Sequence, residues 1–333
     1  MDCIFFINPN SGNKDGVKLA KALDSLSVHS PITSKQIVFT DKKRLKTQVL
    51  SLSATKDLII ICGGDGTINN IISLLTEFDS IPPIAIIPLG TGNDIARATG
   101  WLKSWQDFGI DGLHYALKKR LISNLDIWRL NISGVDYTRD FFFIAYAGFG
   151  YDGLICKEIP KIGPIFLKKG LYLVAGFKIF FKNIICGEKI KIVINGKVIN
   201  FGQILFCNID SYAGGSKLFK DSKYNDGIVE LFFFENFFQF LRTVIKGRIR
   251  PNMTQLNCSK IKSFKFNILN RTFLQIDGEP IAFIKPQTQI KVEHFRVIPL
   301  LRPLKNNILL NEQPVIPEEE NIIDASSVTP AIT

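Results

Sequence analysis

The stretch Ile59–Asn69, read as IIICGGDGTIN, constrains the fold more than any other part of the chain. Leu58 to Cys62 is an unbroken apolar run of strand length, glycines follow, and Ile68, Ile71, Ile72 and Leu75 then recur at helical spacing. Strand, glycine turn and helix in that order set unpaired N–H groups and the positive end of a helix dipole against an anion. Gly63, Gly64 and Gly66 allow positive φ and close backbone approach, and the expected ligand is a phosphate. Taken alone, such a turn is also common in α/β proteins that bind nothing there. A second one, Pro88–Arg97, read as PLGTGNDIAR, follows another buried-strand run at Ile84–Ile87 and surrounds Gly90 and Gly92 with Thr91, Asn93 and Asp94. Two adjacent turns at the carboxyl ends of parallel strands form the ligand crevice of open α/β sheets, so a nucleotide is expected.

The surrounding chain repeats this unit. Cys3–Ile7 reads as a strand with Asn8, Pro9, Asn10, Ser11 and Gly12 as its turn, and Leu19, Leu23 and Leu26 mark the helix after it. Gln36–Phe39 reads as a strand ending at Thr40, followed by a helix through Leu45, Val49 and Leu52. Four strand–turn–helix units imply a doubly wound parallel sheet, with Asn8–Gly12 and Thr40 at the same edge as the glycine turns. Asx and Ser turns alone would explain those residues as well. Beyond a helix around Asp107–Lys119 the period changes to two. Trp128, Leu130 and Ile132 alternate with Arg129 and Asn131; Ile190, Ile192 and Ile194 alternate with Lys189 and Lys191 up to a hairpin turn at Asn195-Gly196. Phe264, Phe266, Ile268, Leu274 and Ile276 continue the alternation to Asp277-Gly278. The expected fold class is therefore α/β. Residues 1–125 and about 293–303 would form a doubly wound parallel-sheet nucleotide domain, and 126–292 an antiparallel β-sandwich domain for the second substrate. The acidic, proline-bearing segment 304–333 reads as disordered.

Charge narrows the partners. The chain carries a formal +11, and the final segment holds Glu312, Glu318, Glu319, Glu320 and Asp324 against Lys305, so the body is more basic than the total. Such a body favours nucleotides, anionic lipid surfaces or nucleic acid without choosing among them. The six cysteines are scattered without a C-x-x-C pair, which reads as buried reduced thiols in a cytosolic protein rather than a zinc site. Met1–Asn8 reads as a strand rather than a basic leader, and no uninterrupted apolar stretch reaches the length of a membrane span. The expected location is cytoplasmic, with membrane contact only peripheral.

Five ordered motifs carry a resemblance: NPNSG from Asn8, GGDGTIN from Gly63, PLGTGNDIAR from Pro88, NDG from Asn225 and DGEP from Asp277. Together they resemble the diacylglycerol kinase catalytic family, which includes the bacterial soluble lipid kinases and, more distantly, sphingosine and ceramide kinases. GGDG also occurs in NAD kinases of the same superfamily, whereas PLGTGND resembles the diacylglycerol-kinase-like branch. Sphingosine kinases usually carry a second motif resembling PAGSGN. The sequence lacks the cysteine and histidine repeats of C1 modules and so is similar to the free-standing bacterial kind. The resemblance implies an ATP-dependent lipid kinase that phosphorylates the primary hydroxyl of diacylglycerol or a related lipid alcohol, giving a phospholipid such as phosphatidic acid. It also implies a final strand returning to the first domain. ATP contacts would fall on Asn8, Pro9, Asn10, Ser11, Gly12, Thr40, Gly63, Gly64, Asp65, Gly66, Thr67, Ile68, Asn69 and Thr91, with Asn93 and Asp94 in the second turn. A structural Mg²⁺ would be held by Asp226, with Lys223 and Ile228 contributing only backbone carbonyls, although an ordinary turn before a strand also explains Asn225-Asp226-Gly227.

Phosphoryl transfer needs positioned phosphates, cationic neutralisation and a carboxylate to orient or deprotonate the acceptor. Asp65 and Asp94 sit within the glycine turns, where they would reach a metal, orient backbone or cap a helix. Asp277 and Glu279 flank Gly278, and the resemblance places them at the base position. A hairpin turn would explain Asp277 but would leave Glu279 without a reason. The acceptor is expected to be a lipid alcohol, met at an anionic membrane surface through one of two basic-aromatic stretches, Lys157–Lys182 or Phe237–Arg250, either of which reads equally as a helix covering the sandwich. Nucleic acid is not an expected partner, and the oligomeric state is not legible, a homodimer being open. An NAD kinase-like enzyme and a non-catalytic nucleotide- or lipid-binding regulator are the competing readings.

Overall fold

A computed structural model of the chain describes residues 1–12, 14–24, 31–90, 92–158, 189–250, 256 and 258–304. Thr91, most of the first basic-aromatic stretch, Cys186 and the acidic segment after residue 304 lie outside them.

Strands β1 (Asp2–Ile7), β2 (Ser34–Phe39), β3 (Leu58–Gly63) and β4 (Ile84–Pro88) pair in parallel in the order β2-β1-β3-β4. Helices α1 (Asp15–Asp24), α2 (Leu45–Ser53) and α3 (Asp65–Leu75) lie in the crossovers. Every residue of β3 and β4 is buried, the behaviour of parallel strands covered on both faces, and it explains their continuous apolar sequence. Each isoleucine sequestered there contributes about 1.5–3 kcal/mol.

After the short α4 (Asp94–Ala98) comes α5, which runs over Trp101–Lys119 rather than starting near Asp107. Gly109, at φ 53 and ψ −127, breaks its regular period and hides the first half from a periodicity reading. The indole of Trp101 is buried and donates to the carbonyl of Leu301 at 3.0 Å.

The antiparallel half comprises β5 (Ile122–Ser133), β6 (Thr138–Phe143), β7 (Tyr146–Gly150), α6 (Tyr151–Glu158), β8 (Ile190–Ile194), β9 (Lys197–Phe201) and β10 (Gln203–Cys207). Two short strands, β11 (Ser211–Tyr212) and β12 (Ser216–Lys217), form a separate hairpin. Then follow β13 (Val229–Phe234), α7 (Phe237–Ile249), β14 (Ser259–Ile261), β15 (Ser263–Ile268), β16 (Thr272–Ile276), β17 (Glu279–Ile284) and β18 (Thr288–Leu301). One sheet is purely antiparallel, in the order β14-β13-β10-β7-β16-β17. The other is mixed: the parallel strands continue through β18 into β15, β8 and β9, with β5 and β6 paired off β18.

β18 is the hinge of this arrangement. It lies antiparallel to β5 along its length and meets β4 in parallel where Leu300 faces Ile84. A bulge between His294 and Arg296 lets it turn from one environment to the other. Trp128, Phe149, Phe206 and Phe266 belong to a core between the two sheets, distinct from the core under the parallel strands. Among the described cysteines, Cys3, Cys62 and Cys207 are buried free thiols, and burial pushes the Cys3 thiol up to about 11. No helix among the described residues is long and apolar enough to cross a membrane.

Candidate active site

The two glycine turns touch backbone to backbone. A Cβ on Gly90 would stand 2.5 Å from the Cα of Gly64, and one on Gly63 would stand 2.6 Å from the Cβ of Thr67. Gly63, Gly64 and Gly66 do not use the positive φ that glycine allows; what they provide is close approach, to Thr67, to the backbone of Gly90 and to the Glu279 carboxylate respectively. The left-handed residue of the second turn is Asn93, φ 50, whose amide closes the turn by accepting from Gly90 N at 3.0 Å and donating to Gly90 O at 2.6 Å.

Two carboxylates tie these turns to their surroundings. Asp65 accepts from the backbone N–H groups of Asp94 at 2.8 Å and Ile95 at 3.0 Å, so the first turn caps the helix of the second. Burial, reinforced by the neighbouring Asp94, raises Asp65 to about 7 despite those donors. Asp94 accepts from Gly214 N at 2.7 Å and from the Tyr146 hydroxyl at 3.2 Å, and burial raises it too. Its other oxygen stands 3.7 Å from Arg97 Nε, and neither atom has a hydrogen-bond partner among the described residues. Arg97 Nη2 donates to the Gly92 carbonyl at 3.2 Å, which holds this partly exposed guanidinium beside the second glycine turn, where a cation suits a phosphate. Arg97 was not singled out from sequence, although it closes the motif.

The first loop joins the same edge. Asn8 donates to Thr67 Oγ1 at 2.9 Å and accepts from Asn10 N at 3.0 Å, an Asx turn that also orders Ser11. Gly12, at φ 61, approaches the Leu89 carbonyl too closely for a side chain. Pro9 and Thr40 are partly exposed at the ends of their strands. Ile68 is fully buried and presents no side chain to a ligand. Beside Gly12, Gly90 and Asn93 opens a cleft of about 700 Å³ with Leu19, Leu102 and Trp105 in its wall, room enough for a nucleotide.

From the other sheet, the β16–β17 turn arrives at α3. Asp277, at φ 47, is buried, and its carboxylate accepts from the backbone N–H groups of Ile144, Ala145 and Tyr146 at 2.8–3.0 Å and from Asn69 Nδ2 at 2.5 Å. Burial nevertheless raises it to about 6. Glu279 is exposed, makes no hydrogen bond or ion pair among the described residues, and lies where a Cβ on Gly66 would stand 2.8 Å from its Oε1. The glycine turns, Asn69, Asp277 and Glu279 are thus one constellation.

Lys223, Asp226 and Ile228 are held elsewhere. Asp226 accepts from Ile228 N at 3.0 Å, and the intervening Gly227 N donates to Asp126 Oδ2 at 2.7 Å. Asp126 is buried, with His294 Nε2 3.0 Å from its other oxygen. Its carbonyl and that of Ile144 both accept from Asn208 Nδ2, which links this turn to Asp277. No cluster of three His, Cys, Asp or Glu side chains among the described residues could hold a metal ion. One carboxylate with backbone carbonyls still fits Mg²⁺, a hard cation that keeps most of its waters. Asp126 escaped the sequence reading, though an acid inside the apolar run Leu125–Trp128 was its signal.

Known proteins resemble this chain along most of its length. The family model described as the diacylglycerol kinase catalytic domain matches residues 2–127, and that of the diacylglycerol kinase accessory domain matches residues 142–280. A diacylglycerol kinase of Bacillus subtilis (strain 168) is 29% identical over 236 residues, covering 67% of this chain and 71% of that protein. Human diacylglycerol kinase iota is 24% identical over 332 residues, covering 87% of this chain and 30% of its own. The chain spans between 30% and 43% of the length of the first animal relatives it matches. In fold it is similar to a crystal structure of a diacylglycerol kinase from Bacillus anthracis str. Sterne, with a TM-score of 0.61 at 19% identity over 90% of this chain and 96% of that one. With both of its halves matched in order, the chain belongs to the diacylglycerol kinase family.

Proposed function

We propose that the chain transfers the γ-phosphoryl group of ATP to the primary hydroxyl of diacylglycerol or a related lipid alcohol, giving ADP and a phospholipid such as phosphatidic acid. The observation that carries this reading is the placement of an exposed carboxylate, Glu279, against Gly66 in the first glycine turn. A phosphate bound at that turn and a hydroxyl brought to Glu279 would be neighbours, the arrangement in-line transfer needs.

Each residue then has a role. Asn8, the paired turns and Arg97 bind and orient the phosphates. Glu279 takes the hydroxyl proton as the new O–P bond forms and the bond to the leaving β-phosphate oxygen breaks. Asp277, with both oxygens occupied by donors, is a positioning residue: it fixes the turn that presents Glu279 and holds Asn69 of α3. A Mg²⁺ held by Asp226 and the carbonyls of Lys223 and Ile228 would be structural, its charge ordering the turn before β13 rather than meeting the phosphates. Because the acceptor is a lipid, the protein works at a membrane surface. The test is turnover of γ-labelled ATP across a panel of lipid alcohols and NAD in mixed micelles. Label in the phosphorylated lipid is expected, and label in NADP alone, or none at all, would overturn the reading.

A further inference from the structure

We propose that the outer face of α7 docks on an anionic bilayer surface; this deepens the lipid-kinase reading and rests on it for the origin of the acceptor. The helix is well defined. Asn236 caps it by accepting from Gln239 N at 3.0 Å, and Phe237, Phe240, Thr243 and Gly247 turn one side into the protein. Phe238, Arg242, Ile245, Lys246 and Ile249 recur at i, i+4, i+7, i+8 and i+11, so they share the opposite side. Phe238 is 63% exposed, Ile245 47% and Ile249 71%, large apolar groups that water does not favour.

The charge on this helix fits one kind of partner. Residues 237–249 contain no acid, while Arg242, Lys246 and Arg248 are all exposed. Arg242 and Lys246 flank a hollow of about 410 Å³ shared with Asn236 and Phe238. Apolar side chains to enter the acyl boundary and cations to meet lipid phosphates on a single helix face are the composition of an interfacial helix. A neutral apolar partner would leave the cations unmatched.

The position also suits delivery of a lipid. The inner side of α7 packs on the β11–β12 hairpin, where Gly247 lies against the carbonyl of Lys217 and Arg248 donates to Ala213 O at 3.3 Å. The next residue of that hairpin, Gly214, donates to Asp94, and Gly215 lies against Arg97. A bilayer held by α7 is therefore one hairpin away from the phosphate site.

Co-sedimentation with phosphatidylcholine vesicles, with and without phosphatidylserine, tests this without ATP. The wild-type chain should bind the anionic vesicles. Arg242→Glu with Lys246→Glu, and separately Phe238→Ser with Ile245→Ser, should each weaken that binding roughly tenfold or more while leaving the melting temperature unchanged. Val198→Ser, at a position 60% exposed on β9, should change nothing. Wild-type binding by both α7 variants would overturn the proposal. So would a dimer in sedimentation velocity that the α7 changes dissolve without affecting vesicle binding, because the face would then belong to a second copy. Failure of the kinase reading would show differently, as no lipid phosphorylation in detergent micelles by a protein that still binds vesicles.

Discussion

Glu279, at the start of β17, and Gly66, in the first turn of α3, occupy adjoining space: a methyl group on Gly66 would stand 2.8 Å from Glu279 Oε1. A glycine here keeps the carboxylate over the turn. Because the obstructing atom ends a flexible, exposed side chain, Gly66→Ala should cost the fold little and the chemistry more. We expect kcat to fall about tenfold, with thermal stability within about 0.5 kcal/mol of wild type. Unchanged kcat would mean that Glu279 has no fixed place in the reaction.

Gly90→Ala should behave in the opposite way. Its Cβ would meet the backbone of Gly64 at 2.5 Å, and backbone cannot swing aside. The expected outcome is a destabilisation of about 1–3 kcal/mol together with weaker ATP binding, as the two turns are forced apart. Calorimetry with ATP and a thermal melt read both effects; wild-type nucleotide affinity would remove the second turn from the site.

Asp277→Asn should separate positioning from catalysis. The two carboxylate oxygens share three backbone donors and Asn69, and the amide replaces one oxygen with an NH₂ group, so buried N–H groups lose a partner at a cost of about 1–3 kcal/mol. A lower melting temperature with reduced kcat is expected, and a stable, slow enzyme would instead make Asp277 the base.

Stability should rise as the solution is acidified from above pH 7 through pH 6. Burial raises Asp65 and Glu230 to about 7 and Asp152 and Asp277 to about 6, all above their unfolded values near 4. The native state therefore holds these protons more tightly than the unfolded state, and the stability gained is complete below the unfolded values and lost as pH rises through 6 to 7. Asp2, Asp41 and Glu293 are shifted down, by Lys56, by Lys43 N–H and by Lys291 respectively, and weaken the fold only in more acidic solution. Thermal melts across this range check the sign, and a melting temperature that falls from pH 7 to 6 would contradict it.

Much of this was legible because β3, β4 and the glycines after them announce themselves in a short window. Trp128, Leu130 and Ile132 likewise declared β5 by alternation, and all three are buried. What local pattern cannot carry is the meeting of distant segments. Asn69 and Asp277 are 208 positions apart, and only the fold shows that Asp277 spends its lone pairs on the backbone before β7. The sequence allowed the glycines of the first turn either positive φ or close approach, and only the fold shows that close approach is the one used. The first half of α5 was hidden by the break at Gly109, and the partition of α7 into buried and exposed faces needed the sheet beneath it.

Arg296, at the bulge within β18, joins that strand to the site by a longer route. Its guanidinium donates to the carbonyls of Thr76, Phe78 and Asp79 at 2.7–3.2 Å, closing the C-terminal end of the helix whose N-terminus is the first glycine turn. Lysine keeps the charge but not the fork. Arg296→Lys should lower stability by about 1–2 kcal/mol with kcat nearly preserved in the folded protein, and an unchanged urea midpoint would show that the cap contributes nothing.

The most direct measurement is the initial rate of phosphatidic acid formation from diacylglycerol and γ-labelled ATP in mixed micelles, for the wild-type chain and Glu279→Gln side by side. The expected result is labelled phosphatidic acid from the wild type and a rate lower by about 10² or more from the variant, with the same ATP affinity and melting temperature. Equal rates from the two proteins, or no labelled lipid from either while both bind ATP, would contradict a lipid kinase whose base is Glu279.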